Sequence, residues 1–141
     1  MTDPEKDAID ARWNLVRERI GDLCPLFDEI RLSLSQTQVA RALALPNVGA
    51  LRRLLRTRDL PDVRVLRDWY YVVRMVERAH QGDALGHWTM HRGDCADVYY
   101  RFVETVTGLP WRVVRDHGVH WVRARALEVW APYLGEDHSG M

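Results

Sequence analysis

Disulfide chemistry has almost no material in this chain. Cysteine occurs only at Cys24 and Cys95, too few for a disulfide framework, so free thiols are the expectation. Lysine is scarcer still: of 20 basic residues only Lys6 is not arginine. No apolar run approaches the roughly 20 residues that a membrane span needs. The first residues are acidic and lack the basic and apolar regions of a signal peptide. A soluble, cytoplasmic protein is therefore expected, with no membrane partner. There is no glycine-rich phosphate loop and no carboxylate pair in a context that supports acid–base work, so an enzyme is not expected and no cofactor is called for. Net charge is missing as well, since 20 basic side chains balance 20 acidic ones.

What is present is apolar mass. At 141 residues and 47% hydrophobic, the chain holds one domain, or two small ones sharing a core. Six Trp, five Tyr and two Phe fall mostly on inward-facing positions, which suits packing better than base stacking. The charge is also unevenly spread. Residues 1–30 carry four basic and eight acidic side chains, net −4, whereas residues 31–60 carry six Arg and one Asp, net +5. A neutral chain can still present a basic patch. Arginine suits bidentate contacts to guanine and phosphate, although a GC-rich coding sequence gives the same bias.

The patch coincides with a helix-turn-helix pattern over residues 35–60. Ser35 and Gln38 form a capping-box signature. Val39 and Leu43 face inward, and Ala44-Leu45-Pro46 is expected to break the helix, because a residue before proline disfavours helical geometry. Asn47 caps a second helix, Val48 to Arg58, whose buried side is Leu51, Leu54 and Leu55. Gly49, Arg52, Arg53 and Arg56 fall on or near the opposite side. A major groove accepts such a helix; an ordinary helical hairpin with a solvated arginine face is the plainer reading.

Around this unit the periodicity predicts further helices, about seven or eight in all, and an all-α fold. Residues 1–34 read as an N-terminal helix and connector, with Asp3 as cap, Pro4 in the first turn, and Ile9, Trp13, Val16 and Ile20 as one stripe. Its acidic outer face is a candidate surface for a protein partner. Residues 61–81 read as a linker helix, apolar on most sides and so buried between neighbours. Twenty residues from Asp62 span roughly 30 Å, close to one DNA turn of about 34 Å. Residues 82–117 repeat the motif: a short helix Ala84–His91, a turn at Arg92-Gly93-Asp94, and a helix to Thr107 with Val98, Tyr99, Phe102, Val103 and Val106 inward. Residues 118–141 give a last helix, with Val122, Ala126, Val129 and Trp130 inward, and a tail.

The order and spacing of these pieces resemble the DNA-binding domain of AraC/XylS-type transcriptional regulators over residues 35–115. The matching pieces are Val39-Ala40, the run Ala50-Leu51-Arg52-Arg53-Leu54-Leu55, Leu60-Pro61, Tyr99-Tyr100-Arg101-Phe102, and Thr107-Gly108-Leu109-Pro110 followed by Arg115. The resemblance implies two helix-turn-helix units joined by a long helix and entering adjacent major grooves of double-stranded DNA. Carried over by position, Asn47, Gly49, Arg52 and Arg53 would meet bases from the first unit. Ala96, Asp97, Tyr100 and Arg101 would do so from the second. Ser35, Gln36, Thr37, Arg56 and Arg58 would hold phosphates. The sequence departs from the family pattern in three places. Pro110 follows Gly108 by two residues rather than three, Asp94 follows Gly93 where an apolar residue is usual, and the second reader is acidic. The 34 residues before Ser35 leave no room for a sensor domain, so a stand-alone two-motif protein, or an excised or companion domain, is expected.

Two rivals remain. One is a protein-interaction module on a helix-turn-helix fold that does not bind DNA, which the zero net charge and acidic second reader favour. The other is a small-molecule sensor in the aromatic interior, which would need an unfilled pocket. A zinc site on His87, His91 and Cys95, which recur every four residues, is the weaker alternative, because Gly93 interrupts the helix and no fourth ligand stands out beyond His117 or His120.

Overall fold

The computed structural model describes residues 1–82 and 96–135, and these contain helices and connecting turns but no strand. In chain order the α-helices are α1 (Asp3–Ile20), α2 (Cys24–Asp28), α3 (Gln36–Ala42), α4 (Val48–Thr57), α5 (Val63–His80), α6 (Ala96–Thr107), α7 (Trp111–His117) and α8 (Val119–Leu134), with a 3₁₀ turn at Gly21–Leu23. None of the described helices is long and apolar enough to cross a membrane.

The helix ends follow local chemistry. Ser35 and Gln38 close a full capping box: the Gln38 amide donates to Ser35 Oγ at 3.1 Å, and the Ser35 amide donates to Gln38 Oε1 at 2.8 Å. Asn47 Oδ1 accepts from the Ala50 amide at 2.8 Å. At α1 the cap is Thr2, whose Oγ1 accepts from the Glu5 amide, one residue earlier than the expected Asp3. Both residue types can cap, so the pattern alone does not separate them. Helix α3 stops at Ala42, with Leu43 as its cap, just before the break expected over Ala44-Leu45-Pro46. Ala44 takes a left-handed φ of 58°, and the Leu45 amide donates back to the Ala40 carbonyl at 2.9 Å. Helix α4 ends the same way, with Asp59 at φ 53° and the Leu60 amide on the Leu55 carbonyl at 2.9 Å. This is the left-handed C-terminal motif, here built without glycine.

Helix α5 is the centre. Its 18 residues span about 27 Å at 1.5 Å per residue. Leu66, Trp69, Tyr70, Tyr71, Val72, Val73, Met75 and Val76 are all buried along it, so neighbours cover more than one face. Those neighbours are α2, α6, α7 and, most extensively, α8; α1 in turn lies against α8. The stack is aromatic where α1, α5 and α8 meet. Trp13 sits between Tyr70, with ring centroids 6.0 Å apart, and Trp130, at 5.5 Å. Phe27 from α2 packs against Tyr70 and Tyr71. Val39, Ala40, Leu51 and Leu55 join the same core, so the pieces read from the sequence share one interior. Val98, expected inward, is 44% exposed. The stripe that α6 buries runs through Tyr99 and Val103 with Phe102 and Val106 partly covered, and Val98 lies off its edge.

Along the edge of this apolar interior runs a chain of charged groups, most of them partly exposed. His120 and Arg123 on α8 both reach Asp10 on α1, at 3.1 and 2.7 Å. Arg123 also donates to Glu77 Oε2 on α5, and Arg74 donates to Glu77 Oε1 at 2.7 Å. Arg74 Nε lies 3.2 Å from Asp28 on α2, and the Tyr70 hydroxyl donates to the same carboxylate at 2.7 Å. Glu77 is the buried charge of the set, 8% exposed. A buried carboxylate persists only when paired and hydrogen-bonded, and two guanidinium groups meet that need. Burial, and then the hydrogen bond to Asp28, push the Tyr70 hydroxyl well above the usual tyrosine value.

Candidate nucleic-acid interface

Helices α3 and α4 pack on each other across residues 43–47. Helix α4 turns Leu51 and Leu55 inward, with Leu54 half-buried, and leaves Arg52, Arg53, Arg56 and Thr57 exposed. Asn47 is exposed too; its Oδ1 is used by the cap, and its side-chain amide nitrogen has no partner among the described residues. Gly49 is half-buried. A Cβ there would lie 3.2 Å from Asn47 Oδ1 and 3.7 Å from a terminal nitrogen of Arg53. A side chain at this position would therefore press on the cap and meet the neighbouring guanidinium at ordinary contact distance.

Partnership separates the arginines. Most are engaged: Arg19 donates to the Asp59 and Leu134 carbonyls, Arg67 to Leu34 and Asp68, Arg115 to Asp116 and Arg125 to Glu128. Among the described residues the side chains of Arg41, Arg52, Arg53, Arg56, Arg64 and Arg112 have no hydrogen bond, ion pair or ring contact. Five of these six fall between residues 41 and 64, on α3, α4 and the first turn of α5. A guanidinium with no internal partner adds little to folding and stays available to an external anion.

Arg58 is different. Its guanidinium donates to the Ile20 carbonyl at 3.1 Å and to Asp22 at 2.8 Å, and this hydrogen bond holds the Asp22 carboxyl below its usual value. Arg58 and Arg19 thus fasten the end of α4 and the following loop to α1 and to the end of α8. Of the other residues expected at phosphates, Ser35 and Thr37 are exposed and Gln36 is half-buried. Ser35 Oγ accepts within its capping box and keeps its hydrogen to give.

Two recesses flank the pair. One, of ≈ 230 Å³, is lined by Arg52, Leu55, Arg56, Leu60, Asp62 and Tyr133. The other, of ≈ 170 Å³, is lined by Leu34, Ser35, Gln36, Val39, Arg64 and Arg67. Arg41, Arg64 and Tyr133 were not expected here from the sequence. Nothing local marks them, because their place depends on how α5 and α8 pack.

On α6, Ala96 is half-buried while Asp97, Tyr100 and Arg101 are exposed. Arg101 makes a long contact, 3.5 Å, to the Asp97 carbonyl. A larger cleft of ≈ 450 Å³ lies between α6 and α7, lined by Tyr100, Glu104, Pro110, Trp111, Arg112 and Arg115. It mixes both charge signs over an aromatic floor. The candidate zinc ligands His87, His91 and Cys95, and the first helix and turn of the expected second unit, lie outside the described residues. No cluster of His, Cys, Asp and Glu suited to a metal occurs among the described residues. No family profile, curated protein or solved structure matches this chain.

Proposed function

We propose that the chain is a sequence-specific DNA-binding transcriptional regulator of the AraC type, in which α4 is the dominant reader in the major groove. The observation that carries this reading is the gathering of partnerless, exposed arginines between residues 41 and 64, on a short helical pair with capped ends. Arg52 and Arg53 would each present a planar fork to guanine O6 and N7. Asn47 would offer its amide hydrogens, and Gly49 would let the backbone approach. Ser35, Gln36, Thr37 and Arg56 would hold phosphates, while Arg58 stays with Asp22. Helix α6 would be the weaker second reader, because Asp97 and Glu104 repel phosphate.

A test separates base contacts from positioning. Arg52→Ala should cost about 1–3 kcal/mol on the best site and relax the preference at one base position. Unchanged affinity and unchanged preference would remove Arg52 from the reading role.

The acidic face of α6 favours a second reading, a protein-interaction module. Val98, Tyr100 and Val113 are exposed at 44%, 38% and 37% on α6 and α7, and Tyr100 also lines the mixed-charge cleft. That reading predicts no retardation of any duplex even at low salt. It also predicts that Tyr100→Ala, and not Arg52→Ala, weakens partner capture.

A further inference from the structure

From the recess beside α3 we infer that Arg64, in the first turn of α5, is a backbone-phosphate contact, so that the DNA surface continues from α4 onto the central helix. This rests on the DNA-binding reading above. Arg64 is exposed and partnerless among the described residues. It shares its recess with Ser35 and Gln36, two residues already assigned to phosphates. Its neighbour Arg67 in the same recess is occupied by the Leu34 carbonyl, Asp68 and the face of Tyr71, which leaves Arg64 as the free cation there. Folding does not explain Arg64. A cation in the first turn opposes the dipole of an 18-residue helix, and although Asp62 caps that helix, no carboxylate among the described residues forms an ion pair with Arg64. A phosphate oxygen would pair with it directly, while Arg58 is held by Asp22.

The experiment compares wild type, Arg64→Ala, Arg64→Lys and Arg52→Ala on a selected site and on random duplex, over a salt series. Arg64→Ala should weaken both duplexes alike and flatten the slope of log affinity against log salt by about 0.9. Between 50 and 200 mM salt its disadvantage to wild type then shrinks by about 3.5-fold. Arg64→Lys should restore the slope, because a point charge serves one phosphate. Arg52→Ala should act mainly on the selected site. A wild-type slope in Arg64→Ala, with thermal stability unchanged, overturns this inference and leaves the reading of α4 standing. Loss on the selected site alone would make Arg64 a base reader and also overturn it. Failure of the wild type to bind either duplex at low salt sinks the DNA reading itself.

Discussion

Replacing Glu77 by glutamine removes the one buried carboxylate among the described residues and leaves its two arginine partners in place. Glu77 is 8% exposed and accepts from Arg74 and Arg123, whose side chains are 25% and 21% exposed. Breaking a buried pair by deleting one partner costs about 3–5 kcal/mol. Two features lower that figure here: both guanidinium groups reach some solvent, and each keeps a second carboxylate, Asp28 for Arg74 and Asp10 for Arg123. One feature raises it: the glutamine amide turns a donor toward donors, at about 1–3 kcal/mol for an unsatisfied buried group. The balance is a loss of about 2–4 kcal/mol, or about 6–12 °C in Tm for a chain of this size. Urea unfolding followed by tryptophan fluorescence reads it directly, since Trp13 and Trp130 stack against each other in the same core. The slope m should stay constant while the midpoint falls. Adding Arg123→Met should recover part of the loss, because the stranded cation goes with its partner. If Glu77→Gln lies within about 0.5 kcal/mol of wild type, a range usual for neutral surface changes, the pairing of Glu77 with Arg74 and Arg123 does not contribute to stability.

Other outcomes follow from single residues. Tyr70, with its ionisation pushed up by burial and the Asp28 hydrogen bond, favours the folded state fully below the unfolded tyrosine value of about 10 and loses that contribution as pH rises beyond it. A tyrosinate absorbance titration should show one late-ionising group fewer in Tyr70→Phe; an identical curve would contradict the assignment. Ala44 holds φ 58° at the end of α3, where a side chain costs roughly 1–2 kcal/mol. Ala44→Gly should therefore raise stability by about 1 kcal/mol, partly offset by backbone entropy, and a lower midpoint in urea would count against the strain.

The sequence was most legible where the physics is local. The Ser35–Gln38 box and the Asn47 cap are set within four residues, and both stand where the pattern put them. The inward stripe of α4, Leu51 with Leu55, follows from helical periodicity alone. The interior of α5 was legible because few polar residues interrupt it. What escaped notice depends on distant partners. Asp10 and Arg123 meet across 113 positions, and no spacing rule joins them. Arg58 and Arg56 look alike in sequence, yet one is bound to Asp22 and the other has no partner among the described residues. Arg64 stands out only once Arg67 is seen to be occupied. Val98 went the other way because α6 is covered on a narrower face than its apolar content suggests.

The most direct trial of the DNA reading is selection of bound duplexes from a random pool at two salt concentrations. Enrichment of a shared motif containing guanine is the predicted result. Its affinity should fall steeply from low to high salt, with a slope near −0.9 for each phosphate neutralised. A pool that stays random, with no retained duplex even at the lower salt, would contradict it.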